Sequence, residues 1–150
     1  MTDATTFAEA RDAIQSRFKA QFDADVLAIV GGSDKPLVVW DNVALTGEPP
    51  KDKAWFRVNV KHSDGDQVSL GEAGTRKFSR DGIVTVQIFI PAGARGLALA
   101  DRLGKMTVDA FEGKAAAGVW FRRVKLVEVG PDGPWFQYNV TAAFTYELTK

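Results

Sequence analysis

The chain contains no cysteine. Disulfides, thiolate nucleophiles and thiolate-ligated zinc are therefore excluded, and the redox state of its compartment leaves no mark on it. It has 1 histidine, His62. One imidazole cannot build a multi-histidine metal site, and no Ser-His-Asp arrangement follows from it without a supporting motif. An excess of charge is also missing: 19 Lys plus Arg balance 19 Asp plus Glu. A protein whose main task is coating nucleic acid leans on surplus cation, so that class is disfavoured, although local basic patches are not. A neutral chain also has little long-range self-repulsion, which permits self-association. No apolar run approaches the ~20 residues of a membrane span. Met1-Thr2-Asp3-Ala4 carries neither the basic nor the apolar region of a secretory signal. The expectation is a soluble protein made in the cytoplasm, with no membrane partner. Phosphate-binding glycine loops and the dinucleotide fingerprint are absent. Gly93-Ala94-Arg95-Gly96 lies at an expected helix start, where backbone N–H groups can meet an anion, but a tight strand-to-helix connection is the plainer reading.

What is present reads as one globular domain over residues 1–150. The 45% hydrophobic content is ordinary for a soluble protein, and a chain of this length buries roughly 70% of the surface its unfolded form exposes. Thr6-Phe7-Ala8-Glu9 is a capping box opening a helix that runs to about Gln21. Phe7, Ala10, Ile14, Phe18 and Phe22 form one apolar stripe along it. Val26 to Val30 fits either a short buried strand or a tail of that helix, and Gly31-Gly32-Ser33 breaks the chain. Leu37 to Trp40 is a short strand, and Trp55 to Lys61 alternates as a half-buried one with Phe56, Val58 and Val60 inward. Asp64-Gly65-Asp66 signals a hairpin turn into a strand at Gln67 to Leu70. Ile83 to Pro91 is a strand, and Ala94 to about Phe111 a second helix stopped by Gly113. Val119 to Val129 and Trp135 to Leu148 form a hairpin across Gly130-Pro131-Asp132-Gly133-Pro134. The resulting order, α-β-β-β-β-α-β-β, is an α+β class: a mainly antiparallel sheet with two helices packed on one face.

The search for chemistry finds no converging set. His62 sits beside the expected turn and reads as an exposed turn residue. The acidic pairs Asp23/Asp25 and Asp64/Asp66 stand at element ends, where aspartate serves turn geometry, and neither has calcium-loop spacing. Arg122 and Arg123, alternating along a strand, point to opposite faces. No catalytic residue, metal or cofactor is assigned. What remains is a hint of association. Trp55 and Trp135 fall on the more polar faces of their strands, which suits either a subunit interface, where aromatics are enriched, or the sealing of a sheet edge. Interface candidates are therefore Trp55, Arg57, Arg122, Trp135, Gln137, Asn139 and Thr141.

Several runs, taken in order, resemble the tail-terminator-like proteins of long-tailed bacteriophages. Trp40-Asp41-Asn42-Val43 is similar to that family's W-x-N-V step, and Trp55 to Val60 to its W-x-R-V-x-V strand. Arg80-Asp81-Gly82 followed by Val86-Gln87-Ile88-Phe89-Ile90-Pro91-Ala92-Gly93 resembles the run ahead of its second helix. Gly118-Val119-Trp120-Phe121 looks like a strand start, and Gly130 to Gln137 like its hairpin turn and closing strand. The set extends from about Phe7 to Glu147, with Asp23 to Pro36 as the departure. The resemblance implies a structural virion protein without catalytic residues. Such a protein forms a hexameric ring that caps the head-proximal end of the tail tube, stops tube polymerisation and offers a surface for joining the head. Its partners are other copies of itself, the tail tube protein and head–tail connector or neck proteins; DNA passes through the lumen without sequence-specific binding. The polar loops Asp41 to Lys53 and Gly71 to Arg80 are the expected axial contacts. The same subunit serves a phage or a gene-transfer particle. The competing readings are another connector or neck protein, a monomeric small-ligand-binding module with an apolar pocket, and an enzyme, which the absent constellations disfavour.

Overall fold

Thr6 opens the first helix, α1 (Phe7–Val30), as its N-cap: its hydroxyl accepts from the Glu9 N–H at 3.1 Å and donates to the Glu9 carboxylate at 2.9 Å. The apolar stripe expected from the sequence is the buried one except at its first member: Phe7, in the opening turn, is 58% exposed and meets only the His62 ring edge-on among the aromatics. Ala10, Ile14, Phe18 and Phe22 are all enclosed, and Val26 extends the row by one more four-residue step. That step decides the open reading of Val26 to Val30: it is helix, since the stripe stays in phase and the polar side is braced by Lys19–Asp23 and Gln21–Asp25 contacts one turn apart. Gly31, at a positive φ of 88°, ends the helix with its N–H on the Leu27 carbonyl.

The computed structural model describes residues 2–32, 35–41, 43–45, 47–93 and 96–150. Ser33 of the expected chain break, Asn42 of the Trp40 to Val43 run, and Ala94 and Arg95 at the expected helix start lie outside the described residues. After α1 come β1 (Leu37–Val39), β2 (Trp55–Gln67), β3 (Lys77–Pro91), α2 (Gly96–Phe111), β4 (Ala115–Ala116), β5 (Val119–Asp132) and β6 (Trp135–Thr149). The sheet order is β1-β2-β3-β6-β5-β4, antiparallel throughout except for the parallel β1–β2 pair. The fold is therefore α+β, with both helices on one face of a mostly antiparallel sheet. The chain order is α-β-β-β-α-β-β-β rather than α-β-β-β-β-α-β-β.

The moved strand has a physical cause. Asp64-Gly65-Asp66 is not a turn: these residues continue β2, in register with Asp81, Arg80 and Ser79 of β3. Gln67 is the last paired residue, so no separate strand spans Gln67 to Leu70. The connection lies at Val68 to Arg76, where Gly71 and Gly74 take φ of 143° and 92°, values disfavoured for residues with a Cβ. Lys77 to Arg80, expected in a loop, is strand because Phe78 to Arg80 are paired on both sides, with β2 and with β6, and Lys77 with β6. The ladder bonds outweigh the local turn preference of Asp and Gly. The sixth strand is β4, a two-residue edge on β5.

The core lies between the helices and the inner sheet face: Phe18, Phe22 and Ile14 of α1, Leu103, Met106 and Phe111 of α2, and Phe56, Val86, Ile88, Tyr138 and Phe144 from the central strands. Full burial of each such side chain contributes about 1.5–3 kcal/mol. Gly82 marks the tightest point. A Cβ there would stand 2.4 Å from both the Lys61 carbonyl and the Phe144 ring. Asp41 ties the layers, accepting from Arg11 of α1 at 2.6 Å, from Asn59 at 2.8 Å and from the Val60 N–H at 2.7 Å.

Candidate interaction face of the sheet

The helices cover one side of the sheet and leave the other bare. Strand pairing sets the residues of this outer face in rows. Trp55, Phe89, Gln137 and Gly130 form the first; Arg57, Gln87, Asn139 and Val127 the second; Asn59, Thr85, Thr141 and Lys125 the third; Lys61, Ile83, Ala143 and Arg122 the fourth. A last row holds Asp64, Asp81, Thr145 and Trp120. The seven interface candidates named from the sequence all lie on this face, brought together from three strands.

Their environments differ. Trp55 is not exposed: it retains 5% of its surface, stacked on Phe89 with centroids 4.1 Å apart, and joins Val39, Leu45 and Trp135 in a small second apolar cluster. Of the two roles open to it, sealing the sheet is what a single copy displays. Arg57 lies over the Trp55 ring at 5.2 Å with its own end in solvent. Trp135 is half-buried, edge-on to Trp55 at 6.1 Å. The Nε1–H groups of both tryptophans are enclosed without an acceptor among the described residues, a state that costs about 1–3 kcal/mol per donor if it persists. Gln137 is buried and donates to Asn139 at 2.9 Å; Asn139 and Thr141 are half-buried on the floor of a shallow groove. Arg122 donates to the Thr145 hydroxyl, stands 3.8 Å from Asp81, and lies over the Trp120 ring at 5.4 Å.

Sequence reasoning missed the neighbours of Arg122. Between Arg122 and Lys125 the β5–β6 register slips, and Arg123 takes φ 53°, left-handed for a residue with a side chain. Such a bulge re-aims side chains. Arg123 consequently lines the same groove as Lys125, with Ile83, Thr85, Val127, Asn139, Thr141 and Ala143. The opposite-face expectation for Arg122 and Arg123 is thus overturned by a backbone irregularity that alternation does not register. A signal for it was lacking, since no glycine or proline marks the site.

Elsewhere polar chemistry is tied down. His62 is not a turn residue. It is half-buried in β2, its Nε2 2.9 Å from the Tyr146 hydroxyl, its ring packed against Phe7, Phe144 and Tyr146. Burial, and secondarily the Arg11 and Arg80 charges, lower its pKa. Tyr138 shares its buried hydroxyl between Glu128 at 3.0 Å and Asp101 at 3.2 Å; burial first, then these carboxylates, raise its pKa far above the ordinary phenol value. This pins α2 to β5 and β6. No group of three or more His, Cys, Asp or Glu side chains is placed to hold a metal among the described residues. A cavity of about 310 Å³ opens at the other end of the molecule, between Val30, Ala54, Ile90, Pro91 and Leu99, with Asp52 and Lys53 also lining it.

No family model and no curated protein matches this chain. Among solved structures, one of 17% identity, covering 91% of this chain and 97% of its own, superposes with a TM-score of 0.56. A second, titled as the virion of a native gene transfer agent particle, has 20% identity over 93% of this chain and 94% of its own, with a TM-score of 0.48, a value that does not establish a common fold. The first comparison shows that the α+β architecture is shared, over nearly the full length of both chains, with a protein of very different sequence.

Proposed function

We propose that this chain is a non-enzymatic structural subunit that works by self-assembly, as one member of a hexameric tail-terminator-like ring of a phage or gene-transfer particle. The observation that carries the reading is the bare outer face of the sheet. It presents the seven interface candidates together and ends in an aromatic cluster holding two indole donors without acceptors. A neighbouring copy can bury the half-open edge of Trp135. The ordered motifs from Trp40 to Gln137, quoted above as resembling that family, support the same reading. In it each subunit meets its neighbours through a heterologous contact that closes into a ring, and the loop Val68 to Arg76 and the segment Asp41 to Lys53 make axial contacts with the tail tube protein and with head–tail connector proteins. The ring sits at the head-proximal end of the tail in the virion, and DNA crosses its lumen without sequence-specific binding.

The test is the mass in solution by light scattering on a sizing column, across protein concentration and with and without tail tube ends. A sixfold species, alone or in the presence of tube, is expected. A strict monomer that ignores tube ends overturns the ring. A monomer that instead takes a small apolar ligand into the cavity lined by Val30, Ile90 and Leu99 places the chain among ligand-binding modules. A ring that joins the head side but leaves tube length unregulated makes it another neck protein.

A further inference from the structure

The outer face carries a concentration of charge that the neutral composition conceals. Arg57, Lys61, Arg123 and Lys125 are exposed there, and none has an ion-pair partner among the described residues. Arg122 beside them is the one cation on this band that is paired, to Asp81. The four free cations occupy a band bounded at one end by the Trp55–Phe89–Trp135 cluster and at the other by Asp64 and Asp81. Between them lie Gln87, Thr85, Asn139 and Thr141, amides and hydroxyls of the kind that donate to phosphate oxygens. From Arg57 to Lys61 the band is about 13 Å long, four residues at ~3.3 Å each, and its width across three strand steps is about 14 Å. Both figures are close to the ~12 Å separating the phosphate rails of a DNA major groove.

From this geometry we propose that the band is a binding surface for the phosphate backbone of duplex nucleic acid. The aromatics of this face argue against splayed single strands. Trp55 and Phe89 are covered, and Trp120, 48% exposed, carries Arg122 over its ring, so the face offers no row of stacking platforms to successive bases. An acidic peptide is a poorer fit, because the cations span strands at opposite sides of the sheet rather than following one extended line. Contact through four exposed cations and few fixed donors is weak, independent of base sequence and sensitive to salt. The inference goes beyond the ring reading and does not depend on it, since binding is read on the free chain and assembly on the column.

The experiment is fluorescence anisotropy of a labelled DNA duplex titrated with the whole chain at several salt concentrations. Log affinity is expected to fall linearly with log salt, by about 0.9 per phosphate neutralised. In Arg123→Asn/Lys125→Gln that slope drops by about half, and separately in Lys61→Gln by about a quarter, while melting temperature and mass on the column stay at wild-type values. Asparagine at position 123 tolerates the left-handed backbone. Four results overturn the proposal: no binding at low salt, an unchanged slope in both variants, single strands bound more tightly than duplex, or displacement by poly-glutamate as effective as by DNA. A variant that loses both DNA binding and ring mass overturns it too, since the groove is then a contact between copies.

Discussion

His62 is held between three aromatic rings and the Tyr146 hydroxyl, with Arg11 and Arg80 as the charges facing it. Its folded pKa is lowered from the ordinary 6.5. A base with a depressed folded pKa binds protons more readily when unfolded, so its contribution to stability is present above pH 6.5 and is lost as pH falls through the folded value. Thermal melts between pH 7 and pH 5 are therefore expected to show a decline in wild type that is shallower in His62→Gln. Equal declines would mean that other groups carry the effect. At the same scale, sequence alternation put all seven interface candidates on one face, but it left open whether Trp55 is exposed for a contact or seals the sheet, and the ring is enclosed. Facing away from the main core does not mean facing water: Phe89, Arg57 and Trp135 close over this ring.

Among the elements, α1 was the most legible and β2 the least. Capping residues and four-residue apolar spacing act over one or two turns, so both survive the passage from sequence to fold. The cap gives a direct expectation. Thr6→Ala removes the acceptor of the Glu9 N–H, which should lower unfolding free energy by about 1 kcal/mol with an unchanged denaturant slope; a change below a few tenths would show that α1 is held by packing alone. In β2, the local preference of Asp64-Gly65-Asp66 for a turn was overridden by pairing with Asp81, Arg80 and Ser79, more than ten positions away, in register with β3. Bulges follow the same logic. Those at His62/Asp64 and Arg122/Lys125 exist because long strands must stay in step across a twisted sheet, a demand made by neighbours rather than by the bulged residues.

For the whole molecule, the two faces of the sheet divide the labour. The inner face, closed by α1 and α2, supplies the stability of a single copy. The outer face is free for contact. If assembly buries it, the folded state is stabilised by mass action, and melting temperature rises with protein concentration. A differential-scanning series over two decades of concentration should show that rise in wild type and a smaller one in Trp135→Ala; a melting temperature independent of concentration speaks against a ring of free subunits.

The sequence by itself determined the class of fold, the buried faces of both helices and of the central strands, and the absence of cysteine chemistry. These follow from periodicity and composition, which are local properties of the chain. The tertiary structure alone decided where β2 ends, that Trp55 is enclosed, and that Arg57, Lys61, Arg123 and Lys125 share one side. Each of those depends on register and on a left-handed residue inside a strand, and register is fixed by the partner strands rather than by the residues that adopt it.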